Sequence, residues 1–529
     1  MKTTRNPLSL AELYEASATM DRRGFIRFGT CAALSSLLAA CGGGGSDAPP
    51  PAPSPDGVAL TLAVHQAAPG TATLDTGFAS LSYEKSHVNN AYFSADNTNL
   101  IGLLNGLGGG VLRIGGNSVD RMTWAPNGPG QTRAQVSRVD VSRLAACIQQ
   151  CPNWKVIYGI NFAGANGSVA SPAQAADEAL YVAQQLGSQL LAFEIGNEPD
   201  QYGGSRTPNL AGITFDIFLN GGTVAQGTIP GWNQFAQAIS NAVSTAAFSG
   251  PAAASDTPGW AESFAASEGG KIALLTEHYY ISNYKSDAPS IAGMLAYPDT
   301  NLVNALQNMQ SAAQKAGVPF RMDETNSYFN SANPAGVSNA FASALWAIDF
   351  IFTHAQYGAS GLNFHSNGAI NSYTAIGDSH DKVTAVQPLY YALLFFSQIF
   401  TGGTTGRLLN TTLSESNAAV SAFAVATNRG ATYVIVNNKD TANAANVTVT
   451  LDAPASNAAV TTLVSSGNSA NDQLANLGIY NGGKAITFGG QAMALNGAWN
   501  GTPQQTLAVT NRQVIVRVAS ASAALIRIQ

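Results

Sequence analysis

The chain has 529 residues, of which 45% are hydrophobic and 11% are charged, and its formal net charge is −6. About a quarter of the residues of an average soluble protein are charged, so this composition excludes a disordered polyelectrolyte, and the length suffices for about two to four domains. The negative charge removes any general case for nucleic-acid binding, which requires a clustered basic surface.

Residues 1–40 have the pattern of an export signal. Arg22 and Arg23 precede an apolar stretch that is too short to span a bilayer comfortably and resembles a bacterial twin-arginine signal. Leu38-Ala39-Ala40-Cys41 then resembles the lipobox at which bacterial lipoproteins are cleaved and acylated on cysteine; an ordinary cleaved signal is the alternative. We therefore expect a periplasmic or cell-surface lipoprotein whose membrane attachment is a lipid on Cys41 only.

Behind the signal, residues 41–56 are rich in Gly, Pro, Ser and Ala and predict a linker that does not pack. Two later cysteines, Cys147 and Cys151, lie one helical turn apart in CIQQC. A disulfide closing this small loop and two free thiols at a helix end are both open. Two cysteines without a nearby histidine give no zinc pattern.

Residues 76–404 alternate short apolar runs with longer helical patterns such as SPAQAADEALYVAQQLG, whose apolar residues recur at spacings of three and four. The eight candidate strands lie in LSYEKSHV, GVLRIGGN, WKVIYGINF, LLAFEIGNEP, FSGPAAASD, IALLTEHYY, PFRMDETNS and SGLNFHSN. Eight strands alternating with helices predict an α/β fold of the (β/α)8 barrel type, with a doubly wound open sheet as the competing architecture.

Residues 405–529 change to alternating strands separated by Asn/Gly turns. The strands lie in AVSAFAVAT, ATYVIVNN, NVTVTLD, AVTTLVS, AITFGG, QVIVRVA and AALIRIQ. This pattern predicts a C-terminal antiparallel β-sandwich. The early run VALTLAV, within residues 57–75, is expected to join it as an edge strand.

Two glutamates follow strands of the predicted barrel, at the end where barrel chemistry takes place. Glu198 lies in FEIGNEP after strand four, and Glu324 lies in MDETNS after strand seven. Glycoside hydrolysis uses one carboxylic acid as proton donor and one carboxylate as nucleophile, and a separation of about 5–5.5 Å gives a retaining mechanism. One such glutamate is weak evidence, but the pair is much stronger.

NEP on strand four together with ETN on strand seven resembles the retaining (β/α)8 glycosidase clan. Within that clan, SYEKSHV, LRIGGNSVD, FEIGNEPD, HYY, MDETNS and FGGQAMALNGAWNG are similar to glycoside hydrolase family 79, the β-glucuronidases and heparanases, over essentially the whole mature chain. The resemblance implies that Glu198 is the acid/base and Glu324 the nucleophile. It also implies that Asn197 holds the sugar 2-hydroxyl and that Tyr280 hydrogen-bonds the nucleophile.

A nucleophilic carboxylate must stay ionised, so a cation is expected beside it. Arg113, facing inward on strand two, is the candidate, and a structural ion pair between Arg113 and Glu194 is the alternative. His278 and His365 lie at strand ends without carboxylate partners at metal spacing, so we expect hydrogen-bonding roles for them. No metal or other cofactor is expected.

Substrate contacts are expected after strands one, two, seven and eight. The resemblance implies that Glu84 and Asn117 contact sugar hydroxyls. It further implies that a tyrosine and backbone amides after strand eight hold a uronate carboxylate, with Tyr373, Gly368 and Tyr328 as the matches. Aromatic side chains that only pack at the barrel mouth are the alternative for the tyrosines.

These patterns predict a retaining exo-β-glucuronidase that removes terminal β-linked glucuronic acid from polysaccharides or glycoconjugates. An endo-acting, heparanase-like enzyme, a clan enzyme specific for a neutral hexose, and a non-catalytic glycan-binding lipoprotein are the alternatives. Endo action on a sulfated polyanion would favour a basic cleft rim. Few Lys or Arg residues lie near the predicted strand ends, which argues against the endo-acting alternative. No protein partner is predicted.

Overall fold

The computed structural model describes residues 57–66, 72–164, 170–254, 259–284, 288–329, 336–370, 372–379, 381–414, 419–467, 469–470 and 486–529. They all fall within one unit, Pro53–Gln529. The predicted signal and linker, including Cys41, lie outside the described residues. Among the helices of the described part of the chain, none combines the length and the hydropathy needed to cross a bilayer.

Eight parallel strands close into a barrel, which confirms the predicted architecture. In chain order they are Ala79–Glu84, Gly110–Gly115, Trp154–Ile160, Leu190–Ile195, Phe248–Ala254, Leu274–Tyr280, Phe320–Asn326 and Leu362–Ser366. Each strand pairs with the next, and the eighth pairs with the first, with Leu362 opposite Ala79. These strands read as apolar runs because helices cover them outside and side chains fill the barrel inside.

Helices cover the outside of the barrel, and local sequence sets their ends. The longer ones are Thr98–Gly106, Arg138–Gln149, Pro172–Leu186, Trp232–Ala242, Trp260–Glu268, Thr300–Ala316, Ala342–Gln356 and Pro388–Ser397. Ser137 and Asp140 form a capping box at the start of one helix, and Gly317, with φ of 69°, ends another in the left-handed conformation.

Shorter elements connect these strands and helices. The short α-helices are Ser86–Asn89, Phe215–Asn220, Ile281–Tyr284 and Ile291–Leu295, and the 3₁₀ turns are Val119–Arg121, Gly187–Gln189, Pro199–Gln201, Pro208–Leu210 and Gln398–Gly403. In the described part of the chain, three two-stranded sheets are separate from the barrel and from the larger second sheet: Thr123–Trp124 with Gln135–Val136, Gly222–Val224 with Gly227–Ile229, and Ile376–Ser379 with Lys382–Val386.

The second sheet is curled, mostly antiparallel and ten-stranded. Its strands are Val58–His65, Gly406–Leu413, Val420–Thr427, Thr432–Asn438, Ala445–Leu451, Asn457–Ser465, Ile486–Phe488, Gln505–Ala508, Gln513–Val518 and Ser522–Ile528. The first of these lies inside the sheet and not at its edge, since it pairs antiparallel with the second and parallel with the fifth. The predicted edge position was therefore wrong; alternating apolar residues indicate that a strand has a buried face but carry no information about its neighbouring strands.

The curled sheet encloses a core of its own and packs its other face on the barrel. Phe423, Ile435 and Leu525 belong to the hydrophobic cluster that continues into the barrel. Phe423 stacks on Phe352 of the helix Ala342–Gln356 with ring centroids 4.8 Å apart. A buried ion pair between Lys439 and Asp349 of that helix lies in the same interface.

Cys147 and Cys151 are free thiols, both buried. Burial raises the pKa of Cys147 to about 12 and that of Cys151 to about 11. The thiols are therefore neutral and unreactive at physiological pH. Of the two alternatives left open by the sequence, the structure has the free pair.

Candidate active site

A pocket of about 660 Å³ opens at the C-terminal ends of the barrel strands. It is lined by Glu84, Asn117, Glu198, Gln201, Arg206, Ala254, Tyr280, Glu324, Phe329, His365 and Tyr373. Both glutamates singled out from the sequence face this pocket, in the position where barrels carry their chemistry.

Glu198 projects from a tightly constrained turn after the fourth barrel strand. Gly196 has φ of 85°, and a Cβ there would lie 2.6 Å from the hydroxyl oxygen of Tyr202. Glu198 itself is left-handed, with φ of 50°, which is uncommon for a residue other than glycine. Its N–H donates to the carbonyl of Ala252 on the next strand at 2.9 Å, so the neighbouring strand fixes the turn that aims its carboxylate.

Asp120, which is not among the predicted site residues, connects three loops of the pocket. Its carboxylate accepts from the N–H groups of Phe162 at 2.9 Å and Asn197 at 3.2 Å, and from the hydroxyl of Tyr202 at 2.5 Å. These partners follow the third and fourth strands, while Asp120 follows the second. Its place in the LRIGGNSVD segment was the available signal.

The Arg113 guanidinium, fully buried inside the barrel, connects the two sides of the site. Its Nη1 donates to Oε2 of Glu324 at 2.6 Å, and its Nε donates to Oε1 of Glu194 at 2.7 Å. Its Nη2 donates to Oδ1 of Asn197 at 2.8 Å. The sequence left contacts of Arg113 with Glu324 and with Glu194 as alternatives, and the structure has both.

The groups around Glu324 hold its carboxylate in the ionised form. Although burial opposes ionisation, His365, His278 and Arg113 together hold the pKa of Glu324 well below its usual range. Of these three, only the guanidinium is permanently charged, so its effect persists at neutral pH. The hydroxyl of Tyr280 donates to Oε1 of Glu324 at 2.9 Å, so both oxygens of this carboxylate are oriented.

A third buried carboxyl group adjoins the guanidinium. Oδ2 of Asp323 lies 3.3 Å from Nε of Arg113, and neither Asp323 nor Glu194 is exposed. Burial and the charge of Glu194 raise the pKa of Asp323 well above its usual range. Asp323 is therefore neutral, because three ionised carboxylates around one guanidinium would leave an uncompensated buried charge.

His278 connects Arg113 to Glu198. Nη2 of Arg113 lies 3.2 Å from Nε2 of His278, and because a guanidinium can only donate, Nε2 must be the acceptor. The ring proton then lies on Nδ1, which donates to Oε1 of Glu198 at 3.1 Å. This leaves Oε2 as the oxygen of Glu198 that His278 does not engage.

His278 and His365 were expected to lack carboxylate partners at metal spacing, and this expectation was wrong. His365 lies 3.8 Å from Glu84 and 3.8 Å from Glu324. Single ligand atoms of Glu198, His278 and Glu324 lie within 4.8 Å of one another, a spacing that could hold a metal ion. In the tautomer assigned above, however, Nδ1 of His278 carries a proton and has no lone pair for a metal.

The distance between Glu198 and Glu324 bears on the reaction that the pair can catalyse. One oxygen of Glu198 and one of Glu324 lie within 4.8 Å of each other across the pocket. Retaining glycosidases hold their carboxyl groups about 5–5.5 Å apart, whereas inverting enzymes need about 6.5–9.5 Å to admit a water molecule between them. The separation of these two oxygens is nearer to the shorter range than to the longer one.

Three predicted substrate contacts lie at the pocket. Glu84 lines it and accepts from the N–H groups of Asn117 at 3.2 Å and Ser118 at 2.7 Å, which fixes the loop after strand two. Burial is the largest influence and opposes ionisation of Glu84, but the interactions with His365 and Ser118 together outweigh it and lower the pKa of Glu84. Asn117 and Tyr373 also line the pocket.

Three other predicted contacts are placed differently. Asn197 is buried below the turn, where its side chain accepts from Arg113. Tyr328 is 2% exposed and points away, with its hydroxyl 3.5 Å from the carbonyl of Ser290. The N–H of Gly368 donates to Oγ of Ser366 at 3.4 Å, and Gly368 does not line the pocket.

Two pocket residues had no signal in the sequence. Phe329, beside Tyr328, is 43% exposed and packs edge-on against Tyr280 with ring centroids 5.1 Å apart. Arg206, in the long loop after strand four, donates to Asn117 and lies 3.3 Å from Oε2 of Glu198. Loop conformation decides both positions, and no periodic pattern encodes it.

Comparisons with known proteins agree with this architecture. The chain is 28% identical over 172 residues to a β-glucuronidase of Aspergillus niger, covering 29% of each chain. It is 26% identical over 368 residues to a β-glucuronidase of Neurospora crassa, covering 63% of this chain and 65% of that protein. The chain therefore spans less than two thirds of either relative. No protein-family model matches it.

A solved structure provides the comparison of folds. The crystal structure of a 4-O-α-L-rhamnosyl-β-D-glucuronidase from Fusarium oxysporum matches with a TM-score of 0.67 at 16% identity. The match covers 89% of this chain and 100% of that one. At this level of identity the likeness describes the fold and not the substrate.

Replacing Arg113 by Gln tests whether the guanidinium keeps Glu324 ionised. We expect kcat/KM on any substrate of the site to fall by roughly 10²–10³-fold, the cost of losing a charged donor at a reacting carboxylate. Because burial then acts unopposed by this charge, the pKa of Glu324 rises, and the acidic limb of the kcat/KM profile moves to higher pH. Activity against pH, on protein shown to be folded, measures both effects.

Arg113→Lys and Asp323→Asn are the matched controls. Lysine retains the charge, so the acidic limb should move less than with glutamine. Asparagine resembles a neutral aspartic acid in shape and charge, so Asp323→Asn should retain activity within roughly tenfold. An acidic limb that stays in place in Arg113→Gln would contradict this account of Glu324.

Proposed function

We propose that the protein is a retaining exo-β-glucuronidase of the family 79 type. The observation that carries the proposal is the close pair of glutamates, Glu198 and Glu324, which lie within 4.8 Å of each other in different electrostatic environments. Glu324 is fixed as an anion by Arg113. Glu198, in contrast, has no contact with that buried guanidinium and accepts from His278 at one oxygen and from the half-exposed Arg206 at the other. The similarity to two fungal β-glucuronidases supports glucuronic acid as the sugar.

In the proposed first step, Glu324 attacks the anomeric carbon while Glu198 transfers a proton to the glycosidic oxygen. The bond to the leaving group breaks, and a glycosyl ester forms on Glu324. Because Oε1 of Glu198 is engaged by His278, the proton leaves from Oε2. Tyr280 and Arg113 stabilise the charge on Glu324 until it is consumed by the new bond.

In the second step, Glu198 removes a proton from a water molecule that attacks the same anomeric carbon. The ester breaks, Glu324 is released as a carboxylate, and two inversions leave the sugar with its original configuration. We assign Glu84 and Asn117 to the sugar hydroxyls and Tyr373 to the uronate side of the pocket. All three line the same 660 Å³ pocket as the two glutamates.

Hydrolysis of 4-nitrophenyl β-glucuronide tests this assignment most simply. The chain should release nitrophenol from the glucuronide and not from the matching β-glucoside. Glu324→Gln should abolish turnover, because an amide is not a nucleophile for the anomeric carbon. The measurement is absorbance of nitrophenol for the parent chain and the variant in parallel.

The remaining outcomes assign the function elsewhere. Activity on the glucoside would change the sugar specificity while keeping the mechanism. If folded protein hydrolyses neither substrate, the exo reaction is excluded, and an endo-acting enzyme or a glycan-binding lipoprotein is favoured. Full activity in Glu324→Gln would remove Glu324 as the nucleophile.

We further propose that the chain is an exported lipoprotein acylated on Cys41. The support is the twin-arginine pattern followed by Leu38-Ala39-Ala40-Cys41. Expressed in a bacterium, the full chain should fractionate with membranes, whereas Cys41→Ala should leave it in the soluble fraction or unprocessed. Equal membrane association of both chains would contradict the lipid anchor.

A further inference from the structure

A second, smaller cleft of about 290 Å³ adjoins the pocket. It is lined by Asn117, Asp120, Arg121, Asn197, Glu198, Gln201, Tyr202, Arg206 and Thr207. Four of these residues also line the main pocket, and Glu324 does not line the cleft. The cleft therefore continues the pocket on the side of Glu198.

The mechanism identifies what would lie on that side. Oε2 of Glu198 must approach the glycosidic oxygen, since Oε1 is engaged by His278. Nη1 of Arg206 lies 3.3 Å from Oε2, so its guanidinium adjoins the bond that is broken. The sugar is on the Glu324 side, and hence Arg206 lies beside the first unit of the leaving group.

The cleft has two exposed guanidinium groups. The Arg206 side chain is 48% exposed, which is unlike the fully buried Arg113. Arg121 is exposed, and no carboxylate of the described residues lies within 4.0 Å of its guanidinium. Among the described residues, Asp120 forms no ion pair with either guanidinium; its oxygens accept from backbone N–H groups and from the hydroxyl of Tyr202.

We infer that this cleft is a leaving-group subsite for an anionic group, a carboxylate or a sulfate, on the glycan unit attached to the glucuronate. Guanidinium groups bind both anions through paired N–H donors. An anion that binds Arg206 also draws it away from Oε2 of Glu198 and so frees that oxygen for proton transfer. The inference rests on the proposed function, and it differs from the sequence expectation that few cations lie near the strand ends.

Matched synthetic glucuronides test the inference. The probes are aryl β-glucuronides whose ring bears a carboxylate, a sulfate or an uncharged carboxamide. For the parent chain and for each variant, kcat/KM of the anionic probe is divided by kcat/KM of the amide probe. The ratio of each variant is then compared with the ratio of the parent chain. Intrinsic differences between the leaving groups cancel in the comparison.

Arg206→Gln and Arg121→Gln should each lower the ratio of anionic to amide kcat/KM by roughly three- to fivefold relative to the parent chain. A higher salt concentration should lower the ratio of the parent chain as well. Arg407→Gln removes an exposed charge from the curled sheet and is the control that should leave the ratio unchanged. Response to carboxylate alone would identify a uronate-type neighbour, and response to both probes would include sulfated glycans; either supports the subsite.

Unchanged ratios in both folded variants would overturn the inference. That outcome is distinct from failure of the proposed function, because 4-nitrophenyl β-glucuronide has no anion on its leaving group. If the parent chain hydrolyses this neutral substrate but the Arg206 and Arg121 variants leave the ratio unchanged, the proposed function stands and only the anionic subsite is contradicted.

Discussion

One buried guanidinium organises the site. Arg113 contacts Glu324, Glu194 and Asn197 directly and reaches Glu198 through His278. A charge buried in this way is tolerated only where partners compensate it, so the barrel interior must supply the carboxylates that the guanidinium then keeps ionised. Stability of the barrel interior and ionisation of the proposed nucleophile thus depend on the same contacts.

The two proposed catalytic glutamates differ because of where this cation lies. Glu324 touches the guanidinium, whereas the imidazole of His278 separates Glu198 from it. Proton transfer requires two carboxyl groups with different affinities for protons, and environment is what sets that difference. The unusual backbone of Glu198, fixed by the adjacent strand, maintains the separation between the two groups.

Much of this arrangement could be predicted from the sequence, because it follows from strand order and strand ends. Eight apolar runs predicted the barrel, and the position of Glu198 and Glu324 after two of them predicted a shared pocket. The histidine contacts, Asp120 and Arg206 depend on loops that meet only in the folded chain, which periodicity does not encode. Tyr328 and Phe329 illustrate the limit: neighbours in sequence, they point in different directions, and only the second lines the pocket.

The most direct test of the central claim is covalent trapping of the nucleophile. An activated 2-deoxy-2-fluoro-β-glucuronide combines a good leaving group with a fluorine that slows both steps, so the glycosyl ester should accumulate. We expect the intact protein to gain the mass of one fluoroglucuronyl unit and peptide mapping to assign it to Glu324. A label on Glu198 or on another residue, or turnover of glucuronides with inversion of configuration, would contradict the account.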